Sequence, residues 1–511
     1  MRLTGAVVRT LDPSRPVAAG LMVQGPRIAT LEGDGAGALD LGGRCVVPGF
    51  SDAHVHFVTW AIGRTQVRLD GSGSLQEAVA RVAAVAEQVP DGEWVRGLGW
   101  RDADWTRPPT RQALDAACGD RPVALMAKDY HSLWLSSAGL ARADGDLAAA
   151  GGVVELGPDG RPSGILREDA AWRFQHRWLA PAEAEMEAAI REGLPVAAAR
   201  GVTAIHDKDG GQGVLPVWQR LLDDGALSLR VWQSLPHFRV EELAELGIRS
   251  GFGPERLRIG YLKAFMDGTL GSGTARMLDG GGVEITSREA LGAIVRRAAR
   301  AGFAVAVHAI GDRANREALD AFEATRGTWA PLGLRPRIEH AQLLHPCDVG
   351  RFARLGVAAS VQFSHAPSDR DLADAAWGDR AELAYAWRSL QDAGATLANG
   401  SDAPVEELDP LGGLRAGVTR SDDGRPSWRP EQAVEVGTAL EAICVAPAWL
   451  AHEEHRRGRL VAGWDADLVV LSRDPFTCPA DELGSIVVEA TMVGGEWTFA
   501  APDSPVAASL E

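Results

Sequence analysis

A repeated alternation of strand and helix in the middle of the chain limits its possible folds more than any other feature. Between residues 286 and 310, Thr286 and Glu289 are spaced as a capping box, apolar residues then recur at helical spacing, and Gly302 is placed to end the helix. The segment "FAVAVHAIG" that follows is nearly all apolar, as a parallel strand buried on both faces should be. The pattern repeats to about residue 402. It predicts an α/β barrel or a doubly wound sheet.

Eight strands can be assigned to this repeat. In chain order they are "GFSDAHVHF", "GVTAIHD", "LRVWQSLP", "RIGYLKAFMDG", "VAVHAIG", "RIEHAQ", "VAASVQ" and "ATLANGSDAP". Eight parallel strands that alternate with helices are the composition of a TIM (β/α)8 barrel. We therefore expect residues 50–455 to form such a barrel.

The two ends of the chain carry a different pattern, in which short apolar stretches are broken by glycine, proline and aspartate. Residues 1–49 read in this way, and so do residues 456–503, where Gly494 and Gly495 form a hairpin signal. Chain termini often lie close together in folded domains. We therefore expect both ends to build one discontinuous small β-sandwich domain.

The interval from His56 to Gly201, between the first two predicted strands, is far longer than one helix with its usual loops. It predicts an insertion subdomain at about residues 60–195, over the C-terminal face of the barrel. Several of the chain's 16 tryptophans fall there, namely Trp60, Trp94, Trp100, Trp105, Trp134, Trp172 and Trp178. We expect them to fill the core of the insertion, and the alternative is that they face a ligand.

The charge of the chain and its cysteine content indicate which classes of partner are disfavoured and in which cellular compartment the protein is expected. With 69 acidic and 52 basic residues the net charge is -17, which disfavours nucleic acid and anionic membrane surfaces as partners. The five cysteines are scattered without a CxxC pair, so neither a disulfide framework nor a thiolate zinc site is indicated. No apolar run of about 18 residues occurs. These features predict a cytoplasmic protein that acts on a small molecule.

Candidate metal ligands recur at the ends of the predicted strands. His54 and His56, at positions i and i+2 of the first strand, point to the same face. The others are Lys263 in strand four, His308 in strand five, His340 in strand six and Asp402 in strand eight. Catalytic groups of TIM barrels come from the C-terminal ends of several strands. Imidazoles and carboxylates suit Zn²⁺ and similar ions, and two neighbouring ions can hold a bridging hydroxide and polarise a carbonyl.

Five segments resemble the successive motifs of the amidohydrolase superfamily. They are "PGFSDAHVHF", "LKAFMDGTLGSGTA", "VHAIGDRA", "RIEHAQ" and "NGSDAPVE", in that order along the chain. The chain is similar to amidohydrolase family 3, the group that contains N-substituted formamide deformylase, and the likeness runs over nearly its whole length. The segment "KDYHSLWLSSAGL" also resembles this group, which places His131 near the substrate.

The resemblance implies a centre with two divalent ions, for which zinc is the expected metal. His54 and His56 would bind the more buried ion, and His308 and His340 would bind the second. An ammonium group has no lone pair for a metal, but CO2 converts a lysine into a carbamate. Lys263 would therefore bridge both ions as an N6-carboxylated lysine. A homodimer is expected at the level of the superfamily.

By the same resemblance, Asp402 would contact the metal-bound water, remove its proton and then protonate the leaving amine. Hydrolysis of an amide-type or formamide-type C–N bond is therefore the expected reaction. A deaminase, or a hydrolase of esters or cyclic imides, stays open on the same site. A non-catalytic regulatory protein that keeps the fold also stays open, although it would have no reason to retain the base.

The remaining site predictions concern substrate contacts and residues behind the ligands. His365, at the end of strand seven, and Trp100, in the insertion, are candidate substrate contacts. His206 and Asp267 are expected behind the metal ligands. The alternatives are a core histidine for His206, and an ion pair with Lys263 for Asp267.

The expected substrate is a small neutral or cationic N-substituted amide with an apolar, aromatic group. An acidic chain steers anions away, and a lid rich in tryptophan suits apolar or cationic ligands. The family often reads "GSLGSRTA" after the lysine, whereas Gly273 stands here in place of the arginine, at the expected rim of the substrate site. The absence of this arginine predicts low affinity for acidic substrates.

Overall fold

The computed structural model describes residues 1–509, apart from the side chain of Asp104, and a sheet of eight parallel strands lies at its centre. The strands are Phe50–Val55, Val202–Asp207, Arg230–Pro236, Leu257–Phe265, Val305–Ala309, Arg337–His340, Ala358–Val361 and Leu397–Asn399. Each pairs with its neighbour in chain order. The two outer strands approach each other, since the Asp402 N–H donates to the His54 carbonyl (2.7 Å) and the His56 N–H to the Ala403 carbonyl (2.9 Å). The sheet is a nearly closed barrel, consistent with the predicted TIM barrel.

Helices follow these strands along the chain. From the second strand onward they are Leu215–Asp223, Val240–Glu245, Arg288–Arg300, Asp312–Trp329, Pro346–Leu355, His365–Trp377, Trp387–Asp392, Pro410–Thr419, Val436–Leu440, Ala446–Leu450 and Pro505–Ala508. Within residues 1–509, no helix combines the length and the apolar character needed to cross a membrane.

In the helix Arg288–Arg300 the predicted C-terminal end is confirmed, and the predicted N-terminal end is displaced by one residue. Gly302, with a φ of 78°, follows it in the left-handed conformation typical of a helix end, as predicted. The predicted capping box was wrong by one residue. Ser287 rather than Thr286 is the N-cap, because its side chain accepts a hydrogen bond from the Ala290 N–H.

The chain between the first two barrel strands builds a sheet of its own. Its strands are Val67–Arg68, Val95–Trp100, Val123–Ala127, Ser132–Leu135, Gly152–Leu156 and Pro162–Glu168. The helices of this segment are Phe57–Gly63, Leu75–Ala86, Arg111–Cys118, Ser137–Ala141, Asp169–Trp178 and Glu183–Ala199. The sheet has apolar residues on both faces, which form separate buried clusters. That the segment of residues 60–195 is a subdomain stays a prediction.

The tryptophans of this segment divide between its core and the barrel cavity. Trp100, Trp105 and Trp134 pack against one another with ring centres between 6.0 and 6.3 Å apart, and each indole N–H donates to a main-chain carbonyl. Trp172 contributes to the wall of the cavity described below. Trp100 lines this cavity as well, so tryptophans of the segment occur both in its core and at the cavity wall, and a contact with a ligand stays a prediction.

Both chain ends contribute to one six-stranded sheet. Its strands are Val7–Arg9, Val17–Ala18, Cys45–Pro48, Leu468–Leu471, Val488–Val493 and Glu496–Ala500. A four-stranded sheet, formed by Arg2–Thr4, Leu21–Gln24, Arg27–Thr30 and Leu39–Asp40, shares an apolar core with it. Gly494 and Gly495, with φ of 60° and 83°, form the turn of the last hairpin. The domain limits at residues 1–49 with 456–503, and at 50–455, stay predictions.

Candidate active site

A cavity of about 160 Å³ lies at the C-terminal ends of the barrel strands. All six residues predicted as metal ligands line it, and they are His54, His56, Lys263, His308, His340 and Asp402. The Oδ1 atom of Asp402 lies 3.2 Å from His54 Nε2 and 3.7 Å from His56 Nε2. The ring centres of His340 and His308 are 4.6 Å apart. Side chains from five separate segments thus meet at one end of the barrel.

Three of these imidazoles are oriented by a hydrogen-bond acceptor behind the ring. The pairs are His54 Nδ1 with Glu339 Oε2 (2.8 Å), His56 Nδ1 with Asp209 Oδ1 (2.9 Å) and His340 Nδ1 with Gln362 Oε1 (2.8 Å). In the neutral ring, Nδ1 then carries the donated proton and Nε2 keeps a lone pair. In His308 the two ring nitrogens exchange these roles, because Nε2 donates to the Gly268 carbonyl (3.1 Å) and Nδ1 keeps the lone pair. Each of the four rings can therefore offer one nitrogen to a cation.

Backbone bends turn two of these side chains toward the cavity. His340 and Asp402 have φ of 73° and 58°, in the left-handed region that non-glycine residues rarely adopt. Asp52 supports the second bend, because one of its oxygens accepts hydrogen bonds from the N–H groups of His54 (3.0 Å) and Ser401 (3.1 Å). Strained conformations of this kind persist at functional sites where the surrounding structure holds them.

Lys263 is buried on the fourth barrel strand beside the histidines. Burial lowers its pKa to about 8, so an uncharged amine is accessible near neutral pH. Its Nζ atom lies 4.8 Å from the centre of the Phe265 ring. Across residues 1–509, no ion pair joins Lys263 to Asp267, so the alternative of a simple lysine–aspartate pair is not what the structure contains.

Asp267 anchors the backbone behind His308 instead. Its carboxylate accepts hydrogen bonds from the N–H groups of Arg276 (2.8 Å), Ile310 (3.0 Å) and Gly311 (2.9 Å). Its Oδ1 atom lies 3.8 Å from His308 Nε2. Burial raises the pKa of this carboxyl group to about 7. Asp267 therefore ties the end of the fifth strand to the loop after the fourth.

Burial dominates the protonation of the cavity side chains. It lowers the pKa of His54, His308 and His340 well below the usual imidazole value. It also raises the pKa of the Asp402 carboxyl group. Burial opposes protonation of His56 too, but the carboxylate behind its ring outweighs this and raises its pKa. The site thus combines neutral imidazoles, which can bind a cation, with a carboxylate suited to proton exchange.

The sequence analysis missed a buried ionic network beneath the histidines. Glu339 Oε1 accepts a hydrogen bond from Lys208 Nζ (2.7 Å) and forms an ion pair with Arg337 Nε at 3.0 Å, while its Oε2 is the acceptor for His54. Lys208 also donates to the Tyr261 hydroxyl. The charged letters inside "AIHDKD" and "RIEH", next to apolar strand residues, are the pattern that could have indicated it.

The segment between the first two strands supplies another wall of the cavity. The His131 ring centre lies 5.3 Å from that of His308 and 4.7 Å from that of Trp172, and its Nδ1 bonds to Glu168 Oε2 (2.6 Å). Trp172 in turn contacts Phe265, with ring centres 5.1 Å apart. His131 lies where a substrate contact was expected. The sequence analysis did not assign Glu168 or Phe265 to the site.

His365 and Trp100, the other expected substrate contacts, also line the cavity. His365 Nε2 lies 3.8 Å from Asp402 Oδ2, and within the described residues 1–509 this nitrogen has no hydrogen-bond partner. Ligand atoms of His340, His365 and Asp402 lie within 4.8 Å of one another, as do those of His54, His56 and Asp402. His365 is therefore close enough to take part in a metal site, a role that the sequence analysis did not assign.

Of the remaining predicted residues, Gly273 lies away from this cluster, whereas His206 lies next to the buried ionic network, with its ring centre 6.2 Å from that of Tyr261. Gly273 is exposed, and a side chain built there would meet open space. Gly271 and Ser272 of the same loop line the cavity instead. His206 is buried, but it lines a second cavity near the N-terminal ends of the first three barrel strands. The direction of the loop and the position of His206 along its strand decide both placements, and neither can be read from the motifs.

A model of the amidohydrolase family matches residues 37–499. The chain is 31% identical to Protein LONG AFTER FAR-RED 3 from Arabidopsis thaliana, over 97% of this chain and 91% of that protein. It is 27% identical to N-substituted formamide deformylase from Arthrobacter pascens, over 97% of each chain.

A solved structure extends this likeness to the fold. An uncharacterized metal-dependent hydrolase from Pyrococcus horikoshii OT3 matches with a TM-score of 0.76 and 25% identity, over 94% of this chain and 98% of that one. The matched range, residues 37–499, includes every residue that lines the cavity. The protein therefore belongs to the amidohydrolase family, as the order of its motifs predicted.

Proposed function

We propose that this protein is a metal-dependent hydrolase that cleaves the C–N bond of an amide-type substrate. The observation that carries the proposal is the set of imidazoles beside Asp402, each held by an acceptor at its second ring nitrogen. Metal-ligating histidines usually donate their other N–H in this way. The likeness to a formamide deformylase and to a metal-dependent hydrolase supports the same class of reaction.

Two divalent ions, with zinc as the proposed metal, fit the donors present. His54 and His56 would hold one ion, His308 and His340 the other, and Lys263 would bridge them as a carbamate. Carbamate formation needs the uncharged amine, and the lowered pKa of Lys263 makes that form accessible. A bound divalent ion polarises a substrate carbonyl and lowers the pKa of water.

Asp402 is the proposed proton carrier. Its Oδ1 faces His54 and His56, and its Oδ2 faces His365. We assign to it the removal of a proton from the attacking water and the delivery of that proton to the leaving amine. The rise in its pKa on burial supports this role, since an acid–base group exchanges protons best when its pKa is near the working pH.

The proposed substrate is a small neutral or cationic N-substituted amide, such as a formamide, with an apolar or aromatic group. Trp172 and Phe265 form an aromatic wall beside His131. Aromatic rings bind flat apolar groups and cations favourably. Trp100 would extend the apolar wall, and His131 and His365 would make polar contacts with the substrate.

We also propose a cytoplasmic location and action without nucleic-acid or membrane partners. The net charge of -17 and five free cysteines support this proposal. A homodimer is proposed from the superfamily resemblance alone.

The test compares the zinc-loaded protein and its Asp402→Asn variant on N-benzylformamide, N-acyl amino acids and cyclic imides. We expect N-benzylformamide to give the highest kcat/KM. In the variant, kcat should fall by about 10²–10⁴-fold with the zinc content unchanged, because the amide cannot accept the proton. Asp371→Asn is the matched control, since Asp371 is exposed and pairs with Arg425 outside the cavity. Failure of the zinc-loaded protein to hydrolyse any of the three classes, or near-parent kcat in Asp402→Asn, would contradict the proposal.

A further inference from the structure

The imidazoles of the proposed metal centre are backed by two kinds of hydrogen-bond acceptor. Carboxylates stand behind the first pair and neutral oxygens behind the second: Glu339 behind His54 (2.8 Å), Asp209 behind His56 (2.9 Å), the Gln362 amide behind His340 (2.8 Å) and the Gly268 carbonyl behind His308 (3.1 Å). The distances are similar, so the two pairs differ in the charge of the acceptor more than in the closeness of the contact.

Asp209 is held in a fixed position by hydrogen bonds from neighbouring groups. It is buried, and its Oδ2 accepts from the Thr59 N–H (2.8 Å). Its Oδ1 accepts from the Thr59 hydroxyl (3.1 Å) and the Gln212 amide (3.2 Å), in addition to His56. Because these donors are neutral, they leave the negative charge of Asp209 to act on His56.

Glu339 acts in the same direction, but its charge is partly offset. Lys208 and Arg337 both form ion pairs with its Oε1 atom, so two positive charges lie beside this carboxylate. Asp209 is therefore the acceptor whose effect contrasts most clearly with that of Gln362.

A charged acceptor strengthens the hydrogen bond about twofold relative to a neutral one, and it makes the ligating nitrogen more basic. We infer that the position formed by His54 and His56 binds zinc more tightly than the position formed by His308 and His340. The two ions are then lost in sequence rather than together. This inference rests on the proposed two-metal centre. It adds an order of affinities that the imidazoles by themselves, two in each position, do not predict.

The test is a competition between the zinc-loaded full chain and a chromogenic zinc chelator, with zinc per chain measured by elemental analysis. The parent protein should release zinc in two steps, and His340→Asn should lack only the weaker one. Asp209→Asn should weaken the tighter step by about 10–100-fold, the usual effect of losing such a partner. Gln362→Glu, the reciprocal change, should strengthen the weaker step and bring the two together.

The possible results separate this inference from the function on which it rests. Two equal steps in the parent, loss of the tighter step in His340→Asn, or an unchanged tighter step in Asp209→Asn would overturn the order of affinities while leaving a two-metal hydrolase intact. A chain that binds no zinc and hydrolyses no amide would instead refute the proposed function. If Gln362→Glu fails to fold, Asp209→Asn and His340→Asn still decide the question.

Discussion

Glu339 carries the negative charge at the centre of the buried network, so Glu339→Gln should strongly destabilise the fold. Its two oxygens meet Lys208 Nζ at 2.7 Å, Arg337 Nε at 3.0 Å and His54 Nδ1 at 2.8 Å. The side chains of Glu339 and Lys208 have no exposed surface, and that of Arg337 is 1% exposed. Glutamine keeps the shape of the side chain, but it leaves two buried cations without their counter-charge. Its NH2 group also takes the place of one oxygen, although both oxygen positions of Glu339 face donors.

The expected loss follows from these contacts. One charge pair near 3 Å attracts by roughly 6 kcal/mol at an effective dielectric constant of about 20, and desolvation of the ions offsets part of this. Removing one partner of a buried pair typically costs about 3–5 kcal/mol, because the other charge stays buried and unpaired. We expect the free energy of unfolding to fall by that amount at neutral pH.

The loss should also depend on pH. Burial, followed by the nearby Arg337, lowers the pKa of Lys208 well below its usual value, and loss of Glu339 lowers it further. In the folded variant Lys208 therefore releases its proton at a lower pH than in the folded parent. Between these two pH values the folded variant binds fewer protons than its unfolded chain, so the stability of the variant rises with pH more steeply than that of the parent. The deficit should shrink as pH rises, because Lys208 can release its proton in the folded variant.

The assay is urea unfolding of the metal-free chain, followed by tryptophan fluorescence at several pH values. Glu407→Gln is the matched control, since Glu407 is 58% exposed and pairs with Arg200 at the surface. It should change stability by less than about 0.5 kcal/mol. A loss below about 1 kcal/mol for Glu339→Gln at neutral pH, or a deficit that grows with pH, would refute the reasoning.

Three further predictions concern the cavity. When metal-free protein is loaded with zinc and ¹³C-bicarbonate, a carbamate carbon should appear in its NMR spectrum, and Lys263→Arg should show no such signal. At a fixed CO2 concentration, the carbamate should form faster above the Lys263 pKa of about 8 than below it. Trp172→Ala should lower kcat/KM for N-benzylformamide by about tenfold and leave formamide nearly unchanged, and an equal loss for both substrates would remove Trp172 from aromatic recognition. Asp267→Asn should lower the free energy of unfolding by about 1–3 kcal/mol, because the amide NH2 replaces one carboxylate oxygen and then faces either the N–H of Ile310 or the N–H groups of Gly311 and Arg276. Unchanged stability in urea unfolding would contradict this.

Much of the barrel, and of the set of residues that lines its cavity, could be predicted from local patterns. A buried parallel strand is apolar on both faces and short, and a helix has its own period, so the eight strands could be recognised one at a time. His54, His56, His308 and His340 then followed from their places at strand ends, because one end of a barrel gathers the residues of every strand. Errors of one residue, as at the Ser287 cap, arise where two neighbouring residues can serve equally well.

The sequence by itself determined the strand order, the family and the side chains that meet beside Asp402, because each depends on short segments whose chemistry is local. Only the tertiary structure decided which groups orient those side chains. Glu339 lies 285 residues from His54, and Asp209 lies 153 residues from His56, and no periodicity links residues so far apart. The same holds for the position of His131 and for the outward direction of Gly273, since both depend on how loops pack over the barrel. A hydrogen bond is set by atomic distances and angles, and those exist only once the chain has closed on itself.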